Sequence, residues 1–203
     1  MQLGFYINQS RCTGCYTCSV ACKDWHDIQA GPVNWRRVIR LEQGRFPFVF
    51  VVFNSLSCLH CAEPACVEAC PVDAIFKRSD DGIVLVDQDA CLGKQDCGIC
   101  REVCPYDAPQ FGEETNAKME KCSFCVERWR EGKKPICVEA CPLRALDAGP
   151  IDGLEAKYGT QKEVEGVTYD PGNKPSVIFK ARVPELIQRP IRAREGPVKQ
   201  GKA

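Results

Sequence analysis

"PACVEACP" (residues 64–71) returns 71 positions later as "PICVEACP" (135–142), a near-identical octapeptide with two cysteines and a closing proline. The chain holds 16 cysteines in 203 residues, far above ordinary usage. Such density points to disulfides, zinc or iron–sulfur clusters. Sorted by spacing, the cysteines form four groups of four with none left over. The first group is Cys12, Cys15, Cys18 and Cys22 (C-x2-C-x2-C-x3-C), and the second is Cys58, Cys61, Cys66 and Cys70 (C-x2-C-x4-C-x3-C). The third is Cys91, Cys97, Cys100 and Cys104 (C-x5-C-x2-C-x3-C), and the fourth is Cys122, Cys125, Cys137 and Cys141 (C-x2-C-x11-C-x3-C). Every group ends in C-x3-C, and Pro71, Pro105 and Pro142 directly follow the last cysteine of the second, third and fourth.

In that grammar three closely spaced thiolates hold one [4Fe–4S] cube while the fourth cysteine reaches across to a neighbouring cube. A tight C-x2-C loop turns around one corner of a cube, and the proline suits a helix start just after the last cysteine. Structural zinc sites also use paired C-x2-C, but they rarely join C-x3-C-P endings in four linked groups. A disulfide scaffold fits small secreted domains, whereas the start "MQLGFYINQSRC" shows no charged, apolar, small-residue leader, so no signal peptide of its own is expected.

Lys plus Arg equals Asp plus Glu at 27 each, which gives no argument for nucleic acid as a partner. The longest apolar run, "FPFVFVVF" at 46–53, falls far short of the roughly 20 residues of a membrane span. The chain therefore reads as soluble or peripheral, with no direct membrane span. Short β-prone runs, "GFYI" (4–7), "FVFVVF" (48–53) and "GIVLV" (82–86), lead toward the cysteine loops, and "PVDAIF" (71–76) and "PLRAL" (142–146) offer brief helices after them. The fold class expected is α+β: two bacterial-ferredoxin-like modules, each with two cubes, whose core is mostly cluster and thiolate. The apo chain should be poorly folded. Spacing leaves two pairings open, groups one with two and three with four, or two and three nested inside one and four.

No cysteine follows Cys141, and residues 180–203 hold seven Lys or Arg against two Glu. This cysteine-free extension reads either as a solvated tail or as an ordered arm on a partner subunit, and it lacks the interleaved aromatics of a nucleic-acid arm. No Gly-rich nucleotide loop, P-loop or G-x-S-x-G elbow is present, and neither His26 nor His60 stands in a catalytic constellation. No catalytic residue is expected. The chemistry is electron relay, and four cubes suit a fixed relay better than a shuttle. Lys94, Asp96 and Arg101, beside third-group cysteines, are the candidates for tuning a cluster potential. Trp25, Trp35 and Trp129 read as packing residues.

"RCTGCYTCSVACKD" (11–24), "CLHCAEPACVEACPVDAI" (58–75), "CPYDAPQF" (104–111) and "KCSFCVERWREGKKPICVEACPLRALDAGPI" (121–151) strongly resemble the four-cluster iron–sulfur subunit of dimethyl sulfoxide reductase-type molybdoenzymes. The likeness spans about residues 3–151. It implies nested modules: an outer one from 1–40 and 111–150, an inserted inner one at 41–110, and a partner-contacting extension at 151–203. It also implies four [4Fe–4S] clusters. One would be held by Cys12, Cys15, Cys18 and Cys141, and a second by Cys122, Cys125, Cys137 and Cys22. A third would take Cys58, Cys61, Cys66 and Cys104, and the last Cys91, Cys97, Cys100 and Cys70. In such complexes the subunit stands between a catalytic subunit with a molybdenum or tungsten bis-pterin cofactor and an integral membrane anchor that exchanges electrons with quinone. It is then peripheral to the cytoplasmic membrane of a prokaryote and serves anaerobic respiration. The same module also occurs with other redox enzymes, such as hydrogenase or dehalogenase assemblies, and as a free polyferredoxin. One departure stands out: the family usually has C-x2-C at the start of the third group, and "CLGKQDC" (91–97) holds three residues more. A cube ligated by Cys91 across a bulged loop is the expectation there.

Overall fold

The computed structural model describes residues 1–182; most of the basic run read as a partner-contacting arm lies outside the described residues. The first strand, β1 (Leu3–Asn8), is buried along its whole length. Leu3, Phe5 and Ile7 face the cysteine-rich body, while Tyr6 packs on the other side with Leu154 and Ile178. A strand covered on both faces is apolar throughout rather than alternating, which explains "LGFYI". Each large apolar side chain so buried contributes roughly 1.5–3 kcal/mol.

A nine-residue helix, α1 (Thr17–Trp25), carries the end of the first cysteine group. A hairpin follows, β2 (Arg37–Arg45) with β3 (Phe48–Leu56), in register from Arg37 opposite Leu56 to Arg45 opposite Phe48. Then come α2 (Ala65–Glu68), the hairpin β4 (Ile75–Lys77) and β5 (Val84–Val86), α3 (Ile99–Glu102), and the two-residue ladder β6 (Gln110–Phe111) and β7 (Met119–Glu120). The chain continues through α4 (Val126–Arg130) and α5 (Ile136–Glu139) to β8 (Leu146–Pro150), which lies antiparallel to β1. Finally α6 (Ile151–Tyr158) and β9 (Val177–Lys180) return to the same sheet, whose order is β8-β1-β9 with β9 parallel to β1. The described part of the cysteine-free segment thus builds the outer sheet of its own chain. Gly4 permits this approach, because a Cβ there would stand 2.4 Å from the Ser176 carbonyl oxygen.

The expected helices after the last cysteines do not form. The repeated octapeptide is itself the helix: Pro64 and Pro135 stand at the N-caps of α2 and α5, and each helix stops two residues before Cys70 or Cys141. The proline after that cysteine has no N–H and disfavours α-geometry in the residue before it, so it terminates a helix rather than starting one. The chain then turns through a left-handed residue three positions beyond the cysteine, Asp73, Asp107 or Arg144, with φ between 46° and 52°. The turns after Cys70 and Cys141 lead into β4 and β8. The first group has Lys23 in place of the proline, and there α1 runs on past Cys22.

Asp147 on β8 ties this frame together. It accepts hydrogen bonds from Tyr158 (2.7 Å), Lys157 (3.2 Å), the Ala148 N–H (2.9 Å) and Lys134, and Tyr158 stacks on Tyr6 at 3.7 Å. Burial alone would raise its carboxyl, but the bonds from Lys134 and its other donors outweigh that and hold it at about 2. A depressed carboxyl stabilises the fold above its unfolded pKa, near 4, and that contribution is lost as pH falls through about 2. With allowance for solvent at the site it amounts to on the order of 1–2 kcal/mol at neutral pH. Asp147→Asn should therefore lower the urea midpoint of the anaerobic holoprotein at pH 7 by the equivalent of that amount. An unchanged midpoint would contradict the assignment.

Candidate metal centres

The fold sorts the sixteen cysteines into four spatial sets, each mixing sequence groups. Cys12, Cys15, Cys18 and Cys141 line one cavity of about 330 Å3 (first set). Cys58, Cys61, Cys66 and Cys104 line another of about 400 Å3 (third set). Cys70, Cys91, Cys97 and Cys100 line one of about 350 Å3 (fourth set). Cys22, Cys122, Cys125 and Cys137 gather between the first and third (second set) and are all buried. Burial, followed by Cys122, Cys137 and Cys125, pushes the Cys22 thiol up.

Thiols that feel one another across set boundaries place the sets in a row. Burial raises the Cys137 thiol to about 11, against Arg36, and Cys122 and then Cys18 of the first set add to the rise. Burial also raises Cys122, with Cys58 of the third set contributing. Cys66 is pushed up to about 12 by burial, then Cys58, with Cys104 and Cys100 of the fourth set adding. Exposure is greatest at one end: Cys15 is exposed and Cys12 half-buried. In the fourth set Cys70, Cys91 and Cys97 are half-buried.

Local geometry supports four-thiolate ligation. The loop at Cys12–Cys15 turns through Gly14 at φ +71°, where a Cβ would lie 2.4 Å from the Phe53 ring. Groups that stabilise a thiolate surround the sulfurs. The Ala145 N–H donates to Cys141 Sγ (3.3 Å), the Ala108 N–H to Cys104 Sγ (3.5 Å) and the Phe124 N–H to Cys122 Sγ (3.4 Å). The Thr17 hydroxyl lies 3.4 Å from Cys15 Sγ and holds that thiol below its usual range. Ser55 Oγ lies 3.2 Å from Cys18 Sγ. Thiols raised by burial stay protonated until a metal takes them as thiolates. The donor sets fit a cluster better than free thiols.

The bulged loop of the third group is pinned by a residue the sequence did not single out. Asn116 donates to the Leu92 carbonyl (2.9 Å) and Asp96 (2.9 Å), and its Oδ1 accepts the Gln95 N–H (3.0 Å). Gly93 turns at φ +93° against that side chain, and Cys91 lines the same cavity as Cys97 and Cys100. The three proposed tuners have other work. Lys94 donates to the Gly112 carbonyl (2.6 Å), Asp96 accepts from Asn116, and Arg101 pairs with Asp107 (3.3 Å). They hold the loop, and their charged ends are occupied there.

Both histidines lie beside the sets. His26 Nε2 is 3.2 Å from Cys125 Sγ, and burial holds its imidazole below the ordinary value. His60 is fully buried, and its Nδ1 accepts the Val84 N–H at 3.0 Å. Trp25 and Trp35 donate to Glu127 (2.9 Å) and Glu120 (3.2 Å), and Trp129 packs edge-on against Phe124.

Comparison with known proteins gives the same direction. Residues 49–151 and, overlapping them, 11–75 match family models described as 4Fe-4S dicluster domains. The chain is 46% identical over 187 residues to the iron–sulfur subunit of anaerobic dimethyl sulfoxide reductase from Escherichia coli strain K12, covering 88% of each. It is 37% identical to the formate dehydrogenase iron–sulfur subunit of Wolinella succinogenes, over 74% of this chain and 82% of the relative. With a sulfite dehydrogenase subunit of Allochromatium vinosum the identity is 38%, over 74% and 69%.

Proposed function

The protein belongs to the family of iron–sulfur electron-transfer subunits of dimethyl sulfoxide reductase- and formate dehydrogenase-type enzymes, and from that premise we propose that it relays electrons through four [4Fe–4S] clusters. The carrying observation is the row of four four-cysteine sets, with a wholly buried set second from one end and a surface-reaching set at each end. Each set would hold one cube: Cys12, Cys15, Cys18 and Cys141; Cys22, Cys122, Cys125 and Cys137; Cys58, Cys61, Cys66 and Cys104; Cys70, Cys91, Cys97 and Cys100. The modules are then nested, residues 41–110 inserted between 1–40 and 111–150. The pairing of β1 with β8 across the insertion supports that division. The segment 151–203 contributes α6 and β9 to the outer module and, in this reading, reaches a partner beyond them.

The clusters supply one-electron oxidation and reduction without making or breaking substrate bonds. The chain's own residues hold them by thiolate, donate N–H bonds to those sulfurs, and exclude water from the second set. The end sets are where electrons enter and leave. One end would meet a catalytic subunit with a molybdenum or tungsten bis-pterin cofactor, and the other a quinone-reactive membrane anchor. Among the described residues no helix is long and apolar enough to cross a membrane, so attachment to the membrane would come through that anchor.

The test is to isolate the native complex without oxygen and measure iron, molybdenum and tungsten per copy of this chain. About sixteen irons, by the four-cube count, with about one molybdenum or tungsten supports the reading. Substantially fewer irons, or zinc in their place, overturns the four-cluster relay, and neither molybdenum nor tungsten overturns the partner.

A further inference from the structure

Arg36 is 1% exposed and Lys121 3% exposed, and neither pairs with a carboxylate among the described residues. A buried, unpaired cation costs several kcal/mol, so anionic groups must stand beside each. For Arg36 the nearest candidates are the cysteine sets. One Nη donates to the Ser55 carbonyl (2.9 Å), and Ser55 Oγ touches Cys18 of the first set (3.2 Å). The guanidinium lies 4.5 Å above the Phe5 ring. Its Nε and second Nη have no hydrogen-bond partner. Burial works against its charge, but Cys137, Cys122, Cys18 and Cys22 hold it above the ordinary value; three of these four belong to the second set.

Lys121 occupies the other junction. It lines the cavity of the third set with Cys58, Cys61, Cys66 and Cys104, and its Nζ donates to the Cys122 carbonyl of the second set (3.1 Å) and to the Val84 carbonyl. The second set is therefore flanked by one fixed cation on the side of the first set and one on the side of the third. Burial in a dry interior disfavours the more negative, reduced form of a thiolate-bound cluster and lowers its potential. A nearby cation has the opposite effect.

We propose that Arg36 and Lys121 tune the second cluster, raising its reduction potential from both sides so that the most buried station of the relay is not its uphill step. Arg36 also directs its free N–H groups at the cluster sulfurs it faces, where thiolate and sulfide accept them. The inference rests on the ligand sets proposed above.

The experiment is a redox titration followed by electron paramagnetic resonance on the holo-complex, for wild type, Arg36→Gln, Lys121→Gln and the charge-keeping Arg36→Lys. In Arg36→Gln the midpoints of the first and second clusters should fall, and in Lys121→Gln those of the second and third. One midpoint, the second cluster's, should fall in both variants. Its reduction equilibrium should drop at least about tenfold, which is about 59 mV for a one-electron couple. The fourth cluster should stay put, and Arg36→Lys should keep most of the wild-type value, which a merely structural role would not produce. No midpoint moving in both variants overturns the proposal, as do all four moving together. If one neutral variant fails to load iron, the other decides alone; failure of both overturns tuning in favour of a structural role. A wild type with fewer than four midpoints defeats the ligand sets instead, a result distinguishable from failure of the cations.

Discussion

Cys137→Ser in the assembled complex should abolish quinol-driven turnover, by at least about a hundredfold or roughly 2.7 kcal/mol on the barrier, while dyes that reduce the catalytic partner directly still support it. Cys137 is 3% exposed in the second set, the station between the first set and the third. With that cluster lost or altered, the row has no parallel path among the described residues. The same substitution at exposed Cys15, in the first set, touches an end of the row. Electron paramagnetic resonance would establish which signal is gone, and stopped-flow reduction of the remaining clusters would report where electrons halt. Full quinol-driven turnover with the second cluster's signal absent would contradict the linear order.

Removing the iron should unfold the chain rather than leave a folded apoprotein. Four of the six helices have four or five residues, and three of the four sheets are two-stranded, one with strands of only two residues. Pieces this short are not stable alone. What packs them together is cysteine: Cys18, Cys58, Cys122, Cys137 and Cys141 sit in the main core with Phe5, Ile7 and Phe124. A structural metal site contributes on the order of 10 kcal/mol to folding, comparable with the whole stability of an ordinary domain, about 5–15 kcal/mol. Anaerobic chelation after cluster oxidation should therefore erase the near-ultraviolet circular dichroism and open the β8-β1-β9 sheet to protease, because Leu3, Phe5 and Ile7 pack on the cysteine side of that sheet. Native-like circular dichroism and protease resistance without iron would contradict this.

The sulfur chemistry was legible in the sequence because C-x2-C and C-x3-C are local: a few residues bend around one site whatever the rest of the chain does. The partner of each last cysteine is not local. Cys141 reaches Cys12 only because β8 lies beside β1, and the spacing by itself left two pairings open. The helices expected after Cys70 and Cys141 were placed on the wrong side of their prolines, since the same residue type can begin a helix or stop one and the turn at Asp73 or Arg144 decides. Strand β9 was missed because "VIFK" is a four-residue apolar run in a Gly- and Pro-rich segment, and its burial comes from a sheet formed by residues far away in sequence. Arg36, Asn116 and Lys121 left no trace either. A polar residue is ordinarily exposed, and only the folded chain reveals that these face sulfur sets or clasp a loop. Lys94, Asp96 and Arg101 drew attention by adjacency to cysteines, which says little about where a long side chain ends.

The most direct measurement is anomalous diffraction at the iron edge from crystals of the anaerobic holo-complex. Four compact iron peaks in a row, each enclosed by one of the four mixed sets, with Cys141 on the Cys12 cube and Cys22 on the Cys137 cube, is the result expected here. Cubes each enclosed by a single sequence group, such as Cys12, Cys15, Cys18 and Cys22 together, or fewer than four peaks, would contradict it.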